Sequence, residues 1–462
     1  MRVANTTIRA VNDLTVRWAG GTSGGTVFSA PGVWPLLAFL ADGAAGAARS
    51  ELAEALGVPA DRAAAAAREL LAGIGAVRGA EAALGLWTGR ALEPHAEWTA
   101  GLPADAHGVL TGDAGVDGPA LDAWAARRTG GLIERMPVAV TPETELVLAS
   151  ALALRTRWLK PFDETYLAPE RGPWQGRELR GLERRSVLLD RIAVADTPGG
   201  HVTRLTVLGD TAVDVHLLLG EEGMTPGGVL GAGVGILADA RRVTPGSRLP
   251  SGVVGPGLVV GRERTTTPRP PTLDVTTVAY GVTSDHDLLE HAGMFGLAAA
   301  ARPVPGHFPG ISAYPLRVET ARQSALARFD ARGFEAAAVT AVAMLAAGMP
   351  TLRWLSTTAR PSSTALSAFS PCTGTRVSSS RRAGSTTRSP TARTRGISLG
   401  DPVSPVPGHR RRPQASMRPV SSDALSLTRS FHVPLAVSEE AFTVYVVSMS
   451  SALPPVPYAF SV

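Results

Sequence analysis

Few side chains in this sequence are spaced for chemistry. Ser29 lies in FSAPG, not in a G-x-S-x-G setting, and just ahead of Pro31 it reads as a helix N-cap, not a nucleophile. His286 and His291 are five apart, which puts them on different faces of a helix, so they read as polar surface and not as a metal site. Cys372 is the single cysteine, so disulfides play no part within the chain. No glycine-rich phosphate loop joins a strand to a helix. Trp34, Trp124 and Trp158 read as core, since nothing suggests a cofactor stacked on them. The chain is therefore expected to be neither an enzyme nor a cofactor binder. The most specific pattern runs from Val318 to Met344. It opens with alternation that places Ala325, Ala327 and Phe329 on one side of a strand. Gly333 interrupts, and small residues follow from Ala336 through Ala343, a run that fits a short helix, an extended loop or a strand.

The rest of the chain has to position that stretch. Its 462 residues are 44% hydrophobic, enough for one large domain or two ordinary ones. The net charge of +5 comes from arginines crowded after residue 350, while the body carries mixed signs, which argues against specific nucleic-acid binding. No apolar run reaches the ~18 residues of a membrane span. The N-terminus has no signal-peptide core, so a cytoplasmic location is expected. Leu36, Leu37, Phe39 and Leu40 make the helix after Ser29 almost wholly apolar and hence buried. A break at Gly43 and Gly46 precedes a second helix that stops at Gly57. Leu121–Met136 reads as a helix broken by Gly130 and Gly131. Glu145–Asp163 reads as a central strand running into an aromatic turn at Trp158, Pro161 and Phe162. VDVHLLLG is the clearest of several short strands, and residues 221–265 are Gly-rich and poorly determined. The mixed order of strands and helices predicts an α+β fold.

Four of these segments, in order, resemble the serpin family of serine-protease inhibitors: Phe28–Leu52, LDAWAARRTGGLIERM, TELVLASALALRTRWLKPFD and ARFDARGFEAAAVTAVAM. The GC-rich residue usage suits an actinobacterial-type member. The resemblance implies helices packed on three mostly antiparallel sheets with an exposed reactive-centre loop, in a monomer with 1–348 as the serpin domain. It implies a suicide substrate: a serine protease attacks the bait bond, and the loop then inserts into the large sheet as a new strand. Gly333, Phe334, Glu335, Ala336, Ala337 and Ala338 take the place of the hinge. The usual loop length puts the bait bond at Ala347–Gly348, with Met344 and Leu345 as alternatives. A small residue there implies proteases of elastase or subtilisin type, and the family also admits an extracellular location. Phe334 stands where inhibitory members carry a small Thr or Ser, and its ring is expected to slow insertion. Ser150 stands where Asn is common, and Arg322 takes the place of a His in the strand before the hinge. The alternative is a non-inhibitory serpin acting as a protease-cleavable binding or structural protein.

Beyond the loop the composition changes. Residues 349–420 are rich in Ser, Thr, Arg and Pro and are expected to be disordered. Shifting the frame of GC-rich synonymous codons for Ser363–Pro390 can give DRPFGFLAVHRHS and, after one uncertain position, LVLAAGRVNDPVP. Both resemble the family's C-terminal strands, so a frameshift is expected between Ala347 and Ser363. Sequencing the gene decides this, and an intact frame with no apolar alternative would sink it. Residues 421–462 hold short apolar segments, of which 431–449 are apolar enough for one or two strands but are not expected to complete the fold. On this reading the far end of the loop loses its tether and sheet edges stay open.

Overall fold

The computed structural model describes residues 3–22, 25–90, 92–102, 107–135, 146–169, 176–262, 269–302, 306–313, 316–318, 320–335, 358–360, 430–435 and 444–450. All of them fall in one compact unit, Met1–Thr373 with Thr428–Val462, while a second unit, Gly374–Leu427, lies outside the described residues. The helices are α1 (Asn5–Gly20), α2 (Ala30–Gly43), α3 (Gly46–Leu56), α4 (Ala60–Gly75), α5 (Ala96–Ala100), α6 (Ala114–Arg128), α7 (Pro226–Leu237) and α8 (Ala292–Phe295). The first strands in chain order are β1 (Ala80–Gly89), β2 (His107–Leu110), β3 (Leu146–Arg157), β4 (Asp163–Leu167), β5 (Leu179–Ser186) and β6 (Ile192–Thr197). Then come β7 (Gly200–Val207), β8 (Val213–Gly220), β9 (Val243–Pro245), β10 (Gly252–Gly255), β11 (Leu258–Val260) and β12 (Thr272–Val278). The last are β13 (Tyr280–Asp287), β14 (Thr320–Phe329), β15 (Gly333–Glu335), β16 (Thr358–Arg360), β17 (Ser430–Leu435) and β18 (Val444–Ser450).

Ser29 caps α2 as its sequence predicts, its Oγ accepting from the Gly32 amide at 3.2 Å. Trp34, Leu37 and Leu40 are fully buried on this helix, and each contributes ~1.5–3 kcal/mol through burial. Gly57 ends α3 in the left-handed conformation. The Gly-rich segment left undetermined by sequence forms α7 and the short strands β9, β10 and β11. The glycines of α7 let it lie against α1: a Cβ at Gly227 would sit 2.5 Å from the Ala19 carbonyl oxygen. Trp34, Trp124 and Trp158 are all buried, as predicted.

The strands form three six-stranded sheets, ordered β13-β14-β15-β3-β1-β2, β10-β11-β16-β12-β5-β4 and β17-β18-β8-β7-β6-β9. Most pairings are antiparallel, and β14 also pairs directly with β3 in parallel. Strands from beyond the loop join these sheets, and for 431–449 this differs from the expectation that they would not complete the fold. β16 fits between β11 and β12, with Ala359 paired to both Val260 and Leu273. β18 pairs with β8 from Val444↔Leu218 to Met449↔Val213, and β17 adds outside it. The reason lies in β8, an almost wholly buried strand whose free edge would leave backbone N–H and C=O groups unpaired. Pro434 is tolerated because β17 is an edge strand.

The histidine expectation is also corrected. His286 lies on β13 and not on a helix. Its Nε2 faces the Val27 carbonyl at 2.8 Å and Thr26 Oγ1 at 3.2 Å, and its ring meets the edge of Trp18 at 5.2 Å. Burial lowers its pKa below 6.5, outweighing the Val27 hydrogen bond and the nearby Asp285 and Glu290. The fold thus holds a neutral imidazole. Its contribution to stability is complete above the unfolded value near 6.5 and is lost as pH falls toward the depressed folded value. Replacing His286→Phe is expected to flatten the loss of urea stability between pH 7 and 5, whereas an unchanged acid slope would remove this role.

Candidate functional site

The predicted hinge begins inside the large sheet. Phe334 pairs with Phe329 of β14 on one side and with Thr156 of β3 on the other. Glu335 pairs with Arg328 and Arg155, and Gly333 with Arg157. β15 therefore separates β14 from β3 at one end of the sheet. Farther along, the same two strands pair directly, from Thr320↔Val147 to Ser324↔Ala151. Between the two zones, residues 325–327 and 152–154 have no ladder partner across this seam among the described residues.

A tight turn returns β14 into β15. The Asp330 amide donates to the Gly333 carbonyl at 3.0 Å, while Asp330 Oδ1 accepts from the amides of Arg332 at 2.8 Å and Gly333 at 3.0 Å. The aromatic turn seen in the sequence holds this hairpin down. Trp158 Nε1 donates to the Asp330 carbonyl at 2.8 Å, and the amides of Trp158 and Phe162 donate to the carbonyls of Arg332 and Ala331. Phe329 sits among Trp158, Phe162 and Tyr280, with ring centroids 4.9, 5.7 and 5.5 Å away. Arg184 covers Phe162 at 4.3 Å, and burial with nearby Arg191 brings its pKa down to about 10, so it stays charged at neutral pH.

Two sequence expectations change here. Phe334 is 0% exposed and already within the sheet, so its ring does not wait outside as an obstacle. Arg322 lies half-exposed and pairs with Asp287 at 2.9 Å. The inward group in this part of β14 is Gln323, 1% exposed, whose Oε1 accepts from the Ser29 amide and whose Nε2 donates to the Ser29 carbonyl, both at 2.8 Å. Sequence reasoning missed Gln323, although its place two residues before Ala325 in the alternating strand puts it on the inward face. Of Ser150 the structure gives the backbone alone, paired to Gln323. Ala336, Ala337, Ala338, Ala347 and Gly348 lie outside the described residues. Beyond them, Thr358 and Ala359 pair in a second sheet. Among the described residues, no group of three His, Cys, Asp or Glu side chains could hold a metal, and no helix is long and apolar enough to cross a membrane.

A family model described as serpin (serine protease inhibitor) matches residues 4–171. The match spans less than half of the chain, and the fold is that of serpins. The native structure of the thermophilic serpin tengpin is similar over 98% of this chain and 96% of its own, at 11% identity and a TM-score of 0.59. Human thyroxine-binding globulin in complex with thyroxine matches over 96% and 97%, at 12% identity and 0.57. A highly specific serpin of the insect Tenebrio molitor covers 74% of this chain and 91% of its own, at 15% identity and 0.54. At these identities the likeness is one of fold. No curated protein sequence matches the chain.

Gly333 is required here by close approach and not by unusual dihedrals. A Cβ there would sit 2.4 Å from the Thr156 carbonyl oxygen. Gly333→Ala is expected to cost ~1–3 kcal/mol in urea denaturation by forcing β15 away from β3. A change under ~0.5 kcal/mol would mean that β15 is not seated there.

Proposed function

We propose that this chain is a serpin that inhibits serine-type endopeptidases by loop insertion, with Gly333–Ala338 as the hinge and Ala347–Gly348 as the bait bond. The observation that carries this reading is a coincidence of register. Extending the β15 ladder puts residue 340 opposite Ser150 on β3 and Gln323 on β14, and those two residues are already partners. The same holds at every closed rung: residue 339 meets Ala151 and Ser324, and residue 343 meets Val147 and Thr320. A new strand can enter by parting β3 from β14 sideways, with no sliding of either. On that extension Ala336, Ala337 and Ala338 would fall opposite the unpaired stretch, whose inward wall includes the buried Leu154, Ala325 and Ala327. Small side chains fit that wall, and entering strand residues gain a hydrogen-bonded ladder on both sides. A small residue at Ala347 suits proteases of elastase or subtilisin type.

Alternation makes the reading testable at adjacent positions. Phe334 points inward and Glu335 outward, so Thr340 would point inward beside buried Gln323 and Ala341 outward beside half-exposed Arg322. Thr340→Glu would bury an unpaired carboxylate, whereas Ala341→Glu would keep its charge near water and near Arg322. With an elastase- or subtilisin-type protease, the parent chain and Ala341→Glu are expected to form a denaturation-resistant adduct. Thr340→Glu should be cleaved with at least tenfold less adduct. Cleavage without adduct in all three would instead favour the second reading, a protease-cleavable binding or structural protein. Equal adduct yields in the two variants would contradict the register.

A further inference from the structure

We propose that the hairpin of β10 and β11 is a latch on β16 that keeps an uncut loop out of the large sheet. This rests on the same reading of residues 336–347 as an insertable strand. The register that admits a strand between β3 and β14 does not itself require a cut, so an intact loop must be held back by its far end. Closing the ladder as far as residue 343 would carry the chain ~30 Å beyond Phe334. The far end is fixed in the opposite direction. Tyr280, Phe329 and Phe334 lie level with one another, and β13 runs from Tyr280 toward the closed zone. β12 leads into β13 with Ala279 alone between them, too few residues for a reversal. Thr272, and Thr358 paired with it, therefore lie as much as ~26 Å on the other side of Tyr280. Residues 344–357 reach at most ~50 Å, against a straight distance of as much as ~56 Å. An intact loop that enters so far pulls β16 out of its sheet, and a cut at Ala347–Gly348 removes the pull.

The hold on β16 is therefore what keeps the loop outside, and the hairpin supplies half of it. β12 offers two rungs, Thr272↔Thr358 and Leu273↔Ala359. β11 adds two more on the other side, Val259↔Arg360 and Val260↔Ala359. Without the hairpin, β16 would be a three-residue edge strand paired on one side only. The hairpin is itself well seated. Leu258 is buried in the main core, and Gly257 makes its turn with φ at +63°. Gly255 lies so close to the third sheet that a Cβ there would come within 2.8 Å of Thr203 Oγ1 and of Val194 Cγ2. The latch is thus fastened to a sheet that the entering strand does not disturb.

The test follows the full, uncut chain as it is held a few degrees below its Tm. Conversion is read as a second species of unchanged mass and raised Tm, with adduct yield against a protease measured in parallel. Val259→Pro removes a ladder bond from β11 and is expected to convert at least about fivefold faster than the parent chain, the worth of one ordinary hydrogen bond. Val260→Cys with Ala359→Cys, in a Cys372→Ser background, ties the hairpin to β16 without weakening either strand. Its oxidised form should convert at least about fivefold more slowly than its reduced form. Val259→Pro converting no faster than the parent, or equal rates in the oxidised and reduced forms, would overturn the latch. This conversion pattern in a chain that gives no protease adduct even when fresh would support the latch and refute the inhibitory reading alone.

Discussion

The direct pairing of β3 with β14 is the constraint on which the rest of this structure depends. Five rungs, from Val147↔Thr320 to Ala151↔Ser324, close the large sheet. Under the fourth rung, Gln323 reaches the backbone of Ser29, so the closure is also fastened to the cap of the buried helix α2. Opening the seam must either carry that amide along or leave two buried backbone groups unpaired, at ~1–3 kcal/mol each. β15 enters the same seam from the other end. One sheet thus holds a closed zone, an unpaired zone and an occupied zone along a single pair of strands, an arrangement suited to a fold that stores free energy until a strand arrives.

The occupied end is held mainly by aromatic packing and a turn. Phe334 and Phe329 face each other across the ladder, and Trp158 and Phe162 fasten the turn through their backbone amides. A bulky residue at this position therefore reads as an anchor for the first step of insertion. At the other end of the candidate loop, β16 is held by only two rungs on each side. Residues 336–357 are thus bounded by strands in two different sheets, as a bait loop requires.

Much of this was legible in the sequence because it rests on local chemistry. The Ser29 cap, the Gly57 stop, the long apolar β3 and the alternation of β14 follow from side-chain type and spacing. What escaped depends on partners distant in the chain. α7 is a glycine-rich helix whose reason is the close approach of α1. β17 and β18 form because β8 has an edge to fill, something no periodicity within 430–450 discloses. Gln323 was passed over for Arg322 because a one-residue step along a strand exchanges the inward and outward faces. His286 was read as helical surface because the strand that buries it, β13, is polar in sequence.

The most direct test of the account is a reversible lock on the seam. Cysteines at Leu148 and Ala321, neighbours in the closed zone, with Cys372→Ser to remove the native thiol, would link β3 to β14 when oxidised. The measurement is the change in Tm when the loop is cleaved, compared between oxidised and reduced protein. A rise of at least ~10 °C on cleavage in the reduced form alone is the result expected if the loop enters by parting these strands. An equal rise in both forms, or none in either, would contradict it.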